Sequence, residues 1–184
     1  MTTGFRRRRD GSYVVRLDPS EAGVLHTLFS ELVAMLDDGG NGAADSDDPI
    51  AAALGGFGER ERPADPALAR LLPDAYADDE EASAEFRRYT EGDLRAGKIE
   101  AARTAKESLG AGGKIELTEE QAQAWLGVLN DLRLTLGTRL DVTEDHDDVF
   151  PRLPDEDPRK QAWYVYSWLS YLQQSLVEAL MDSL

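Results

Sequence analysis

Cysteine is absent from this chain of 184 residues, and with it go disulfides, thiolate zinc sites and any thiol switch within the chain. Long apolar runs are missing too. No stretch approaches the roughly 18 residues that a membrane-spanning helix needs, which excludes an integral membrane protein. Arg6 to Arg9 have no apolar stretch behind them, so no secretory signal is expected and the cytoplasm is the expected location. Histidine occurs twice, at His26 and His146, which makes no zinc site by spacing and pairs with no nucleophile. The Gly-x-Ser-x-Gly, phosphate-loop and dinucleotide patterns are all lacking. Basic residues are few, 20 against 36 acidic ones, for a net charge of −16. A chain this negative repels phosphate backbones, so direct DNA binding would need a local basic patch. No enzyme, catalytic residue, metal or cofactor is expected.

What is present describes a folded chain. The length fits one domain spanning residues 1–184, and the 41% apolar content is enough to bury a core. Phe5 to Arg9 and Ser12 to Leu17 flank Asp10-Gly11, a dipeptide suited to a type I′ hairpin. Asp18-Pro19-Ser20-Glu21 combines an N-cap, a proline that needs no donor and a capping-box glutamate. A helix to about Leu36 follows, with Ala22, Leu25, Leu28, Phe29 and Leu32 on one face. A Gly/Asp-rich loop, about 39–48, is expected to be mobile. Asp-Pro helix starts recur at Asp48-Pro49, Asp65-Pro66 and Asp157-Pro158. Asp78 to Leu109 reads as one helical stretch, bent or broken at Gly92 and Gly97.

An internal repeat organises the chain. Val15-Arg16-Leu17, the cap Asp18 and the apolar positions Ala22, Leu25, Leu28, Phe29 and Leu32 form a first unit. Ile115-Glu116-Leu117, the cap Thr118 and Ala122, Trp125, Val128, Leu129 and Leu132 form a second, 100 residues later. Two units are too few for a solenoid. They read as pseudo-symmetric halves, or as two instances of a common strand-to-helix transition. Lys114–Leu117 is expected to join the hairpin in a small antiparallel sheet, because a lone hairpin is marginal in water. The fold class is therefore mostly α, a helical bundle with a small N-terminal antiparallel β-hairpin or sheet. The second helix should end at Gly137, before an acidic loop at about 141–157. The last helix, 158–181, carries so many aromatics that it should be buried on most sides, at the centre of the bundle or at a homodimer seam.

Candidate sites are sparse. Arg6, Arg7, Arg8 and Arg9 form the basic cluster, read either as a phosphate grip or, preferably, as charges that protect an edge strand. Glu144 to Asp148 fails the calcium-loop pattern at Val149 and Phe150. Arg133 lies close to an apolar face and is expected to pair with a carboxylate between Glu80 and Asp93, or to meet a partner. Arg139 reads similarly. Arg87 and Arg88, beside Phe86 and Tyr89, have the composition of an interface hot spot.

Longer phrases carry a resemblance. Asp65-Pro66-Ala67 through Leu71-Leu72-Pro73-Asp74-Ala75-Tyr76, then Glu85-Phe86-Arg87-Arg88-Tyr89, then Asn130-Asp131-Leu132-Arg133 through Leu140, together with the Tyr164–Val177 helix, resemble an actinobacterial family of domains of unknown function. That family includes a mycobacterial oxidative-stress transcriptional regulator. The resemblance implies a cytoplasmic regulator that senses oxidation through cysteines and contacts a sigma factor or RNA polymerase. Without cysteine, no sensing residue carries over to this chain. The leading reading is a non-enzymatic regulatory protein acting by protein contact through Arg87, Arg88, Arg133 and Arg139. The alternative is a small-molecule-binding protein or enzyme with a pocket at the C-terminal aromatic helix.

Overall fold

The hairpin forms where Arg9, Asp10 and Gly11 turn the chain between β1 (Thr3–Arg7) and β2 (Tyr13–Leu17). Its turn is not type I′. Gly11 alone has positive φ, 86°, its N–H donates to the Arg8 carbonyl at 3.1 Å, and the Arg8 N–H donates to Ser12 O at 2.8 Å. This is the three-residue loop in which a type I turn ends on a left-handed glycine. Asp10 need not adopt positive φ because its carboxylate accepts from the Ser12 N–H at 3.0 Å.

The computed structural model describes residues 3–38, 62–143 and 149–182. Among them lie five helices: α1 (Pro19–Asp38), α2 (Pro66–Leu71), α3 (Glu80–Leu109), α4 (Glu119–Leu140) and α5 (Pro158–Met181). The 39–48 loop, the Asp48-Pro49 helix start and the middle of the acidic loop, 144–148, lie outside the described residues.

The third strand, β3 (Gly113–Leu117), completes an antiparallel sheet of order β1-β2-β3. Val15 stands opposite Ile115, Tyr13 opposite Leu117 and Leu17 opposite Gly113. With a repeat of 100 residues, that register is what an approximate two-fold between the strands requires: Val15 and Ile115 are equivalent in sequence and meet at the centre. The caps correspond as well. Asp18 Oδ1 accepts from Glu21 N while Glu21 Oε2 accepts from Asp18 N, and Thr118 exchanges the same two bonds with Gln121. The Ser20 hydroxyl, followed by the Glu21 N–H, holds the Asp18 carboxyl below its ordinary value.

Both repeat helices turn their apolar faces into one core. Leu25, Phe29 and Leu32 of α1 meet Trp125, Leu129 and Leu132 of α4, with Tyr13, Val15 and Leu17 beneath. Trp125 is fully buried, edge-on to Phe5 (5.6 Å) and Phe29 (5.4 Å), and its indole N–H donates to Ser108 Oγ at 2.8 Å. The long helix α3 packs on both α1 and α4. It runs unbroken through Gly92 and Gly97. Each glycine costs about 1 kcal/mol against alanine, and packing along both neighbours offsets it.

The C-terminal elements differ from expectation in two places. Helix α4 passes Gly137 and ends at Asp141, which takes the left-handed cap (φ 52°). Gly137 lies inside the helix, and its carbonyl accepts from the Asp141 and Val142 N–H groups at the helix end. Helix α5 is deeply buried only in its second half, through Leu169, Leu172, Leu176 and Ala179, where it lies against β1 and α4. Its first half leaves Trp163, Tyr166 and Trp168 half-buried and Tyr164 exposed. A stack of Phe150, Trp163 and Tyr166 (4.9 and 5.4 Å between rings) covers that end. The second half of α5 also closes an edge of the sheet: Gly4 N donates to Tyr171 Oη and Phe5 N to Ser175 Oγ. Only glycine fits at residue 4, because a Cβ would come within 2.7 Å of Ser175 Cβ.

Trp125→Ala should cost about 3–5 kcal/mol in urea unfolding, the range for emptying a buried tryptophan site. A loss under about 1 kcal/mol would show that the two repeat helices do not share this core.

Candidate functional site

The segment between α2 and α3 is pinned before α3 starts. The Ser83 hydroxyl donates to Tyr76 O at 2.7 Å and accepts from Tyr76 N at 3.1 Å, while Asp79 caps the helix by accepting from Ala82 N. Three charged residues then follow at a spacing of four, Arg87, Glu91 and Arg95, all on the buried side of α3. Arg87 pairs with Asp74 of the preceding segment, and its Nε lies 3.6 Å from Glu91. Glu91 accepts from Arg95 Nε at 2.8 Å. Arg95 Nη1 donates to the Leu36 carbonyl at 2.8 Å. Helix α1 has no basic residue in its own last turn, so Arg95 supplies the cation that its C-terminal dipole favours. The row of charges therefore ties the 72–79 segment, α3 and the end of α1 together. Arg87 Nη1 stays buried without a hydrogen bond.

The outer side of the same turns is open and mixes aromatic side chains with the exposed acids Glu80, Glu81 and Glu85. Tyr76 (52% exposed), Phe86 (48%) and Tyr89 (62%) stand clear of the core, with Tyr76 edge-on to Phe86 at 6.3 Å. Arg88 is exposed between Phe86 and Tyr89. A cleft of about 800 Å³ lies alongside, lined by Arg62, Asp74, Tyr76, Ser83 and Arg88 among others. A second, apolar cleft of about 290 Å³ lies between α1 and α4, with Leu28, Leu32, Leu132 and Leu136 in its wall and Arg139 at its rim. Neither is lined by a described residue of α5. Aromatic residues and arginine are the types enriched in protein interfaces.

The structure separates the other candidate residues. Arg133 does not reach a carboxylate of α3. It faces α5, where Nε donates to Ser170 Oγ at 2.8 Å, Nη1 donates to Gln173 Oε1, and the guanidinium sits 5.6 Å from the Tyr166 ring centroid. Helical geometry is the reason: Asp131, two positions earlier, is the residue that faces α3, where Lys98 Nζ donates to it at 2.7 Å. Arg139 is exposed and pairs with Asp65 at 2.7 Å, over the start of α2. Arg87, read from sequence as an interface residue beside Arg88, is only 6% exposed and belongs to the buried row. Arg6, Arg7, Arg8 and Arg9 are all exposed on the hairpin, and Arg8 pairs with Glu116. Glu144 to Asp148 lie outside the described residues, among which no group of acids and histidines is placed to hold a metal. Sequence reasoning missed Ser83, Glu91 and Arg95. The Arg-Glu-Arg spacing of four was the available signal.

Comparison with known proteins agrees with this layout in extent. A family model described as a domain of unknown function, DUF2017, matches residues 2–180. The oxidative stress regulator AosR of Mycobacterium tuberculosis (strain H37Rv) is 35% identical over 195 residues, covering 95% of this chain and 85% of that protein. The putative oxidative stress regulator AosR of Mycobacterium leprae is 30% identical over 208 residues, covering 97% and 94%. No solved structure matches the chain.

Arg87→Ala should cost about 1–3 kcal/mol, because it removes a buried cation from Asp74 and Glu91, which keep Arg62 (3.6 Å) and Arg95 (2.8 Å). Arg88→Ala should stay within about 0.5 kcal/mol; equal losses in denaturant unfolding would contradict the division into base and surface. Burial pushes the Asp131 carboxyl above its ordinary value of 3.8, with Lys98 recovering only part. The unfolded carboxyl then gives up its proton first, so this group's contribution to stability falls as pH rises from about 3.8 through the folded-state value. Asp131→Asn should gain on the wild type across that interval, and parallel stability curves would refute the assignment.

Proposed function

Since the chain belongs to the DUF2017 family, with relatives named oxidative stress regulator, we propose that it is a regulatory protein without enzymatic activity, acting by protein contact in the cytoplasm. The docking surface is the outer face of the first turns of α3 and the segment before them: Tyr76, Phe86, Arg88 and Tyr89. The observation that carries this reading is that three large aromatics are held in the open by a segment fixed from beneath. A backbone already fixed in place lowers the ordering cost of binding, which favours affinity. The partner is a sigma factor or RNA polymerase, the class that the family resemblance implies. A net charge of −16 favours basic surfaces on that partner and speeds encounter. Oxidation sensing through thiols does not enter, as there is no thiol in the chain. No described helix is long and apolar enough to cross a membrane.

The Arg88→Glu, Tyr89→Ser double variant should lower recovery of sigma factor or polymerase from a native extract by about 30-fold or more, the effect of losing a hot spot of about 2 kcal/mol or greater. Its thermal midpoint should match the wild type. Undiminished recovery would remove this surface from the function. Recovery of neither partner by the wild type would remove the partner class.

A further inference from the structure

The two outer edges of the sheet are treated differently. Along β1, α5 takes the Gly4 and Phe5 N–H groups with Tyr171 and Ser175, so that edge is closed. Along β3, no backbone group of residues 113–117 bonds to any described residue outside β2. No described strand flanks it. The repeat makes the asymmetry pointed. If β2 and β3 are equivalent about Val15 and Ile115, then β1, which pairs with β2, has a counterpart position on the far side of β3. The described chain leaves that position vacant. An open edge is a template for another strand, and its side chains decide which strand is accepted.

We propose that a second copy of this chain occupies it, β3 against β3 in antiparallel register centred on Ile115, joining two three-stranded sheets into one of six. The order Lys114-Ile115-Glu116 is self-complementary in that register. Each Lys114 stands opposite the other copy's Glu116, twice per dimer, as a two-fold contact requires. Both side chains are exposed and on the sheet face turned from the core. Their charges are already poised: Glu116 Oε1 accepts from Arg8 Nη1 at 2.5 Å and from Lys114 of its own strand. In the dimer Arg8 keeps Glu116 while Lys114 reaches across the seam. Arg6 and Arg16, exposed on the same sheet, offset locally the repulsion between two copies that each carry −16.

Sedimentation velocity over a dilution series tests the proposal, with circular dichroism confirming the fold of each variant. The wild type should show a concentration-dependent dimer. Lys114→Glu makes the seam acidic on both sides and Glu116→Lys makes it basic on both sides, so each alone should weaken dimerisation at least about tenfold. An equimolar mixture of the two single variants should recover dimer, because an all-acidic strand then faces an all-basic one. The Lys114→Glu, Glu116→Lys double variant should recover it as well. A wild type that stays monomeric at all concentrations overturns the proposal. So does a dimer indifferent to both substitutions, which would place the seam elsewhere, as on the aromatic half of α5. Failure of the mixture to recover dimer overturns the register.

Discussion

The antiparallel pairing of β2 with β3 is the constraint on which the rest of the structure depends. It joins segments 100 residues apart in the chain, so its loop-closure cost falls on the most distant contact of the sheet. Once Val15 faces Ile115, the two helices that follow leave opposite ends of the strand pair, each started by a capping box. Their apolar faces converge on Trp125, Phe29 and Phe5. The sheet is small, three strands of five residues, and would not persist by itself. Helices on one face and α5 along one edge give it a core to belong to.

Helix α3 supplies the second level of organisation. It contacts both repeat helices, and it carries polar residues where a simple amphipathic helix would carry leucine. Ser83, Arg87, Glu91 and Arg95 are all buried. A row of apolar residues there would be no less stable, since buried ion pairs seldom exceed their desolvation cost. What the charges add is position. Arg95 must find the Leu36 carbonyl and Arg87 must find Asp74, so the segment before α3 is held in one arrangement relative to α1. The exposed aromatics on the other side of those turns inherit that definition.

Much of this architecture was legible in the residues. The three strands, the capping boxes, the helical stretch over 78–109 and the 100-residue offset of the repeat all follow from local chemistry: Asp-Pro starts, period-two alternation, a glutamate or glutamine three residues after a cap. The misreadings share a cause, which is that tertiary packing overrode local preference. Gly92 and Gly97 do not break α3 because α1 and α4 pack along it, and the left-handed cap of α4 falls on Asp141, four residues beyond Gly137. The hairpin turn differs because the Asp10 carboxylate satisfies the Ser12 amide without positive φ. The site was half legible. Phe86, Arg88 and Tyr89 stood out by composition, whereas the separation of Arg87 from Arg88 depends on which side of α3 meets Asp74. Arg133 was misassigned because Asp131 and Arg133 point to different helices, a distinction the spacing alone does not make.

The claim at the centre of this account is that the surface over the buried charges of α3 is where a partner docks. Hydrogen–deuterium exchange by mass spectrometry, on the protein alone and mixed with sigma factor and RNA polymerase, tests it most directly. The account predicts slow exchange along Arg87 to Arg95 in the free protein, and new protection on mixing confined to residues 74–90. Protection that falls instead on the aromatic half of α5, or none at all in the 74–90 segment, would contradict it.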